Sequence, residues 1–119
     1  MLKPGKESVD LNNPQDEDLR LAELVRRLVA AYRPERIHLF GSRARGDAGP
    51  DSDYDVLVVV PASASEERRR SRLGYEALIG SRIPTDIVVV TREYFDWMLG
   101  AAASLPATVE REGRVLYAE

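Results

Sequence analysis

Leu21, Leu24, Val25, Leu28, Val29 and Tyr32 recur three and four residues apart, which predicts an amphipathic helix over about 15–32. Asn13 fits as its N-cap, Pro14 as its first helical residue, and Asp16, Glu17 and Asp18 as an acidic first turn; Pro34 stops it. Ile37, Leu39 and Phe40 mark a short strand ending at Gly41, and the polar stretch Gly41–Pro50 is turn-rich. Tyr54–Val60 is a nearly unbroken β-branched run, the pattern of a strand buried on both faces, and Pro61 closes it. Ser63 and Glu66 have capping-box spacing and open a helix expected to reach about Ser81. Pro84 leads into a strand over Thr85–Val90, Thr91 caps a fourth element over about 92–103, and a last strand falls near Arg114–Tyr117. The succession helix, strand, turn, strand, helix, strand, helix, strand predicts an α/β fold, a small mixed β-sheet with helices packed on it.

At 119 residues the chain makes one domain, expected over 14–119 behind a flexible polar arm at 1–13. Seventeen basic against twenty acidic residues give a net charge of −3. That balance disfavours free nucleic acid as a partner, since such binders use excess positive charge to displace counterions. There is no cysteine and one histidine, His38, which excludes thiolate chemistry and histidine-clustered zinc. The apolar runs are too short for a membrane span, and no apolar stretch follows the basic N-terminus as in a signal peptide, so a cytoplasmic location is expected.

Asp51, Asp53 and Asp55 alternate into the Tyr54 strand. Residues two apart in a strand share a face, so Asp53 and Asp55 aim into one space. Close carboxylates repel unless a cation sits between them, and oxygen ligands suit Mg²⁺. Asp51 reads better as a solvated turn residue. An EF-hand fails on Val56 and Ala62, which stand where glycine and glutamate are needed. A phosphatase-type pair would follow its strand rather than precede it. Asp86 opens the Thr85 strand. Alone it reads equally as a turn cap; if its strand pairs with Tyr54–Val60, it joins the other two as a third carboxylate.

Gly41-Ser42 follows a strand and opens a turn, where backbone N–H groups and a hydroxyl can bind an anion. Arg43 and Arg45 add charge-assisted donors, although each alone reads as a solvated surface residue. The turn is neither a Walker A motif nor a dinucleotide fingerprint.

Together, Gly41-Ser42, ten intervening residues and Asp53-Tyr54-Asp55 spell GS-x10-DxD. With its flanks, Phe40-Gly41-Ser42-Arg43-Ala44-Arg45-Gly46 and Ser52-Asp53-Tyr54-Asp55-Val56-Leu57-Val58, the sequence resembles the minimal nucleotidyltransferases of the polymerase-beta-like nucleotidyltransferase superfamily. The resemblance covers about residues 36–90 and extends to Arg111–Tyr117. It implies the polymerase-beta-like fold, with Gly41 and Ser42 holding a triphosphate, helped by Arg43 and Arg45. It also implies two Mg²⁺ ions on Asp53, Asp55 and Asp86, and transfer of a nucleoside monophosphate, from ATP or another nucleoside triphosphate, to an acceptor hydroxyl. Small members of this family resemble antitoxins that silence a HEPN-domain toxin by modifying one of its tyrosines. A non-catalytic antitoxin acting by binding alone is one alternative, and an aminoglycoside-type small-molecule nucleotidyltransferase is another. Intact glycine, serine and aspartates favour catalysis over the first; the absence of a further helical acceptor region counts against the second.

His38 reads as a packed strand residue. The run Glu66–Arg72 reads as a solvated helix face. Phe95, Met98, Leu99 and Ala102 form one apolar stripe, and Tyr94, Trp97 and Ala101 a second. The second stripe is expected either in the core or at a surface for a partner or a second copy.

Overall fold

The computed structural model describes residues 14–119, with side chains from Asp16 onward; the arm expected at 1–13 and the Asn13 cap lie outside the described residues. Helix α1 spans Pro14–Tyr32, and its Leu21, Leu24, Leu28 and Tyr32 are buried. Strand β1 (Arg36–Phe40) leads through a one-turn helix α2 (Ser42–Arg45) and a loop into strand β2 (Tyr54–Val60). A short 3-10 turn (Glu67–Arg69), helix α3 (Ser71–Ala77) and strand β3 (Thr85–Thr91) follow. Helices α4 (Arg92–Met98) and α5 (Leu105–Glu112) and strand β4 (Arg114–Ala118) complete the chain.

The sheet order is β3-β2-β1-β4; β1 runs antiparallel to β2 and β4, and β2 runs parallel to β3. Alternation along β2 sorts its side chains into two cores. Tyr54, Val56, Val58 and Val60 pack with the apolar stripe of α1, and Leu57 and Val59 pack with Phe95 of α4 and Val109 of α5. Helices thus cover both faces, as expected for a β2 buried on both sides.

Two expectations are corrected. The single helix expected from Ser63 to Ser81 is broken: Arg70 is extended (φ −106°, ψ 140°) between the 3-10 turn and α3. Ser65 rather than Ser63 meets the start of this turn, its Oγ accepting the Arg68 N–H. The cause is tertiary. The Tyr32 hydroxyl donates to the Arg70 carbonyl (2.6 Å) and accepts the Gly74 N–H (2.8 Å), pinning the break to the end of α1. Arg68 donates to the carbonyls of Tyr32 and Arg33, which satisfies the C-terminal end of α1, and Arg69 donates to those of Ala62 and Ala64. These two arginines of the charged run therefore fasten the crossover. Second, α4 stops at Met98 and α5 is an additional helix. Ser104 caps α5 by accepting the Ala107 N–H, with Pro106 in its first turn. Among the described residues no helix is long and apolar enough to cross a membrane.

Candidate active site

The topology brings three strand ends together. Antiparallel pairing sets Phe40, at the end of β1, opposite Asp55 near the start of β2. Parallel pairing sets Asp55 opposite Asp86 near the start of β3. Asp86 shares the parity of Val88 and Val90, and Asp55 that of Leu57 and Val59, so both carboxylates leave the sheet on the α4–α5 face. Asp55 is half-buried, whereas Asp53 and Asp86 are exposed. Burial pushes the Asp55 carboxyl above its usual range, the charges of Asp86 and Asp53 push it the same way, and Arg45 pulls it back. The three aspartates and Arg45 thus share one electrostatic neighbourhood.

Gly41 meets this cluster from β1. Its backbone (φ 73°, ψ −157°) lies in a region essentially restricted to glycine, and a Cβ there would collide with Asp55 Oδ2. Its carbonyl accepts from the N–H groups of Ala44 and Arg45, which starts α2 with half-buried Ser42 as its first residue.

The two arginines separate. Arg45 is exposed, paired with Asp47 at 3.2 Å, and close enough to influence Asp55. Arg43 is neither solvated nor turned to the open side. It is buried, its guanidinium lies 4.7 Å from the centre of the Tyr54 ring, and it donates to the Ser52 carbonyl at 3.0 and 3.2 Å. A salt bridge to Glu17 at 3.6 Å ties it to α1. The geometry makes Arg43 a clamp on the loop that delivers Asp53.

Among the described residues no three carboxylate or imidazole groups close into a metal cage. The donor set is instead an open one. It fits a hard cation whose remaining ligands are water and phosphate oxygens, because it is all oxygen and mutually repulsive.

A family model described as a nucleotidyltransferase domain matches residues 20–116. The chain belongs to the nucleotidyltransferase domain family. Solved structures agree on the fold of this nucleotidyltransferase-family chain. A candidate nucleotidyltransferase from Sulfolobus solfataricus is similar over 98% of this chain and 94% of its own, at 21% identity and a TM-score of 0.60. A toxin–antitoxin complex with AMP-PNP is similar over 83% of this chain and 73% of the other, at 20% identity and a TM-score of 0.56. A complex of tri-AMPylated Shewanella oneidensis HEPN toxin with MNT antitoxin is similar over 87% and 73%, at 18% identity and a TM-score of 0.55. No curated protein matches the sequence.

Tyr75 of α3 also reaches the carboxylate cluster. Its hydroxyl donates to Asp86 Oδ1 at 3.1 Å. No local signal marks it, since the contact depends on how α3 docks against β3. Tyr94 and Trp97 are exposed, Trp97 to 77%, and meet edge to face, while Phe95 between them is buried. The second stripe of α4 therefore faces solvent rather than the core.

His38 is buried and stacked on Phe95 with ring centres 5.4 Å apart, as a packed strand residue should be. Its Nε2 is buried without a partner. Burial lowers its pKa, Arg36 adds to the effect, and Glu110 opposes it. The neutral ring is thus favoured in the folded state. Its contribution to stability is complete above the ordinary histidine pKa of about 6.5 and is lost as pH falls through the lowered folded value. Urea unfolding at pH 7.5 and pH 5 should show a smaller acid loss for His38→Phe than for the wild type.

Proposed function

We propose that this chain is a Mg²⁺-dependent nucleotidyltransferase that moves AMP from ATP onto a hydroxyl of a partner protein, a tyrosine of a HEPN-type toxin, and so acts as an antitoxin. The observation that carries the reading is the in-register pair Asp55–Asp86, joined electrostatically by Asp53 and approached closely by Gly41. The family assignment supports the reaction class. The partner is supported by relatives of the same fold, one described with a tri-AMPylated HEPN toxin and one with AMP-PNP. The exposed Tyr94–Trp97 face is a further candidate for partner contact.

In this reading Asp53, Asp55 and Asp86 hold the metal. Bound Mg²⁺ supplies positive charge at the attacking and leaving oxygens of an in-line displacement. Gly41 lets the triphosphate lie against the backbone, and Ser42 and Arg45 offer it donors. The acceptor oxygen bonds to the α-phosphorus as the bond to the bridging oxygen breaks, and pyrophosphate leaves. Asp86 orients the hydroxyl and takes its proton, with its Oδ1 held by the Tyr75 hydroxyl.

The test is to co-purify the chain with its partner and incubate the complex with each nucleoside triphosphate labelled at the α-phosphate. Label and an added AMP mass on a partner tyrosine are expected with ATP and Mg²⁺, and neither with EDTA. A partner neutralised without any added mass would instead establish inhibition by binding alone.

A further inference from the structure

The Tyr75 hydroxyl makes two hydrogen bonds. It donates to Asp86 Oδ1 at 3.1 Å and accepts the Ile87 N–H at 3.0 Å. The second bond uses a main-chain donor of β3, which is an edge strand. The phenol is therefore fixed to the same strand that carries Asp86, one residue further on.

The helix beneath Tyr75 is itself held at short range. A Cβ on Gly74 would lie 2.7 Å from Ile87 Cδ1 and 2.9 Å from the Tyr32 hydroxyl oxygen, so glycine lets α3 sit directly on β3 and on the end of α1. The Gly74 N–H donates to the Tyr32 hydroxyl at 2.8 Å. Tyr32 thus anchors the start of α3, Gly74 sets its closeness to the sheet, and Tyr75 reaches round the sheet edge to one oxygen of an otherwise exposed carboxylate.

We propose that Tyr75 is a positioning residue: it holds the Asp86 carboxylate in one orientation, leaving its other oxygen for the metal and the acceptor hydroxyl. The role rests on the nucleotidyltransferase reading above. An exposed aspartate explores several rotamers, and ordering it in advance removes that cost from each binding event. The Tyr75 hydroxyl is engaged on both sides, by Asp86 Oδ1 and by the Ile87 N–H.

The test uses the full chain and Mn²⁺ as the probe, read by electron paramagnetic resonance in the presence of a non-hydrolysable ATP analogue. Tyr75→Phe keeps the ring and removes only the hydroxyl. It should weaken Mn²⁺ binding about tenfold and lower kcat to a similar extent, with KM for ATP changed less than twofold. In an Asp86→Ala background the same change should alter Mn²⁺ affinity less than twofold, a coupling that general loosening of α3 would not produce. Equal losses in both backgrounds, or unchanged Mn²⁺ binding by Tyr75→Phe, overturn the positioning role. So does a nucleotide found on Tyr75 by mass spectrometry. Wild-type protein that binds no Mn²⁺ in an Asp53- and Asp55-dependent way overturns the transferase reading and this role with it. Normal wild-type binding with an unaffected Tyr75→Phe overturns this role alone.

Discussion

Asp55→Asn is expected to transfer nucleotide at less than about a thousandth of the wild-type rate, the loss of roughly 4 kcal/mol of transition-state stabilisation. The same variant should melt at a higher temperature than the wild type in metal-free buffer at neutral pH. Both results follow from one cause. Asp55 is half-buried beside Asp86 and Asp53, so its ionised form is disfavoured in the folded chain. A carboxyl whose folded pKa is raised contributes most to stability below its ordinary value of about 3.8 and opposes folding once pH has risen through the shifted one. Asparagine carries no charge, so the variant escapes that repulsion. The melting difference should shrink at acid pH, where Asp55 is neutral in the wild type as well. Calorimetry in EDTA across pH, beside a labelled-nucleotide assay, checks both halves. Retained transfer would remove Asp55 from the reaction, and a lower melting temperature at neutral pH would make it a structural residue.

Gly41→Ala should lose both stability and transfer. Holding a non-glycine residue at φ 73°, ψ −157° costs about 2 kcal/mol, on the order of 10 °C in melting temperature for a domain of this size. The added Cβ also strikes Asp55 Oδ2, which displaces the central carboxylate. These two costs can be separated. In an Asp55→Ala background the collision is gone and the backbone strain remains, so Gly41→Ala should destabilise less there. Denaturant melts of the four proteins give the difference directly. An equal cost in both backgrounds would mean that Asp55 yields freely and that the close approach is unimportant.

Much of the framework was legible in the residues. Tyr54–Val60 is bounded in the structure as its β-branched run indicates, because Asp53 before it and Pro61 after it suit a strand poorly. The meeting of Asp55 with Asp86 could be stated as a condition on the pairing of their strands, and the parallel register meets it. The rest depends on contacts distant in sequence. The break at Arg70 is fixed by the Tyr32 hydroxyl, and capping-box spacing at Ser63 carries no trace of it. Arg43 looks like any loop arginine until the Tyr54 ring and the Ser52 carbonyl enclose it. Helix α5 is different, since its signal was present: Ser104 followed by Leu105-Pro106 is a sound helix start. The Asp86 partner Tyr75 lies on a segment whose direction no local pattern specifies.

The matched register of β2 and β3 also determines where the chain can change length. Asp55 and Asp86 face one another only while the alternation of Ile87, Val88 and their neighbours keeps step with that of Val56 and Leu57. One residue added inside β3 ahead of Asp86 would turn its carboxylate toward the α1 layer and exchange the faces of the residues that follow it. The stretch from Pro61 to Ser65 leaves β2 at the other end of the strand, away from the carboxylates, and there the Ala62 and Ala64 carbonyls hold Arg69. A change of length ahead of Asp86 thus reaches the carboxylates directly, whereas one between Pro61 and Ser65 acts first on the Arg69 anchorage.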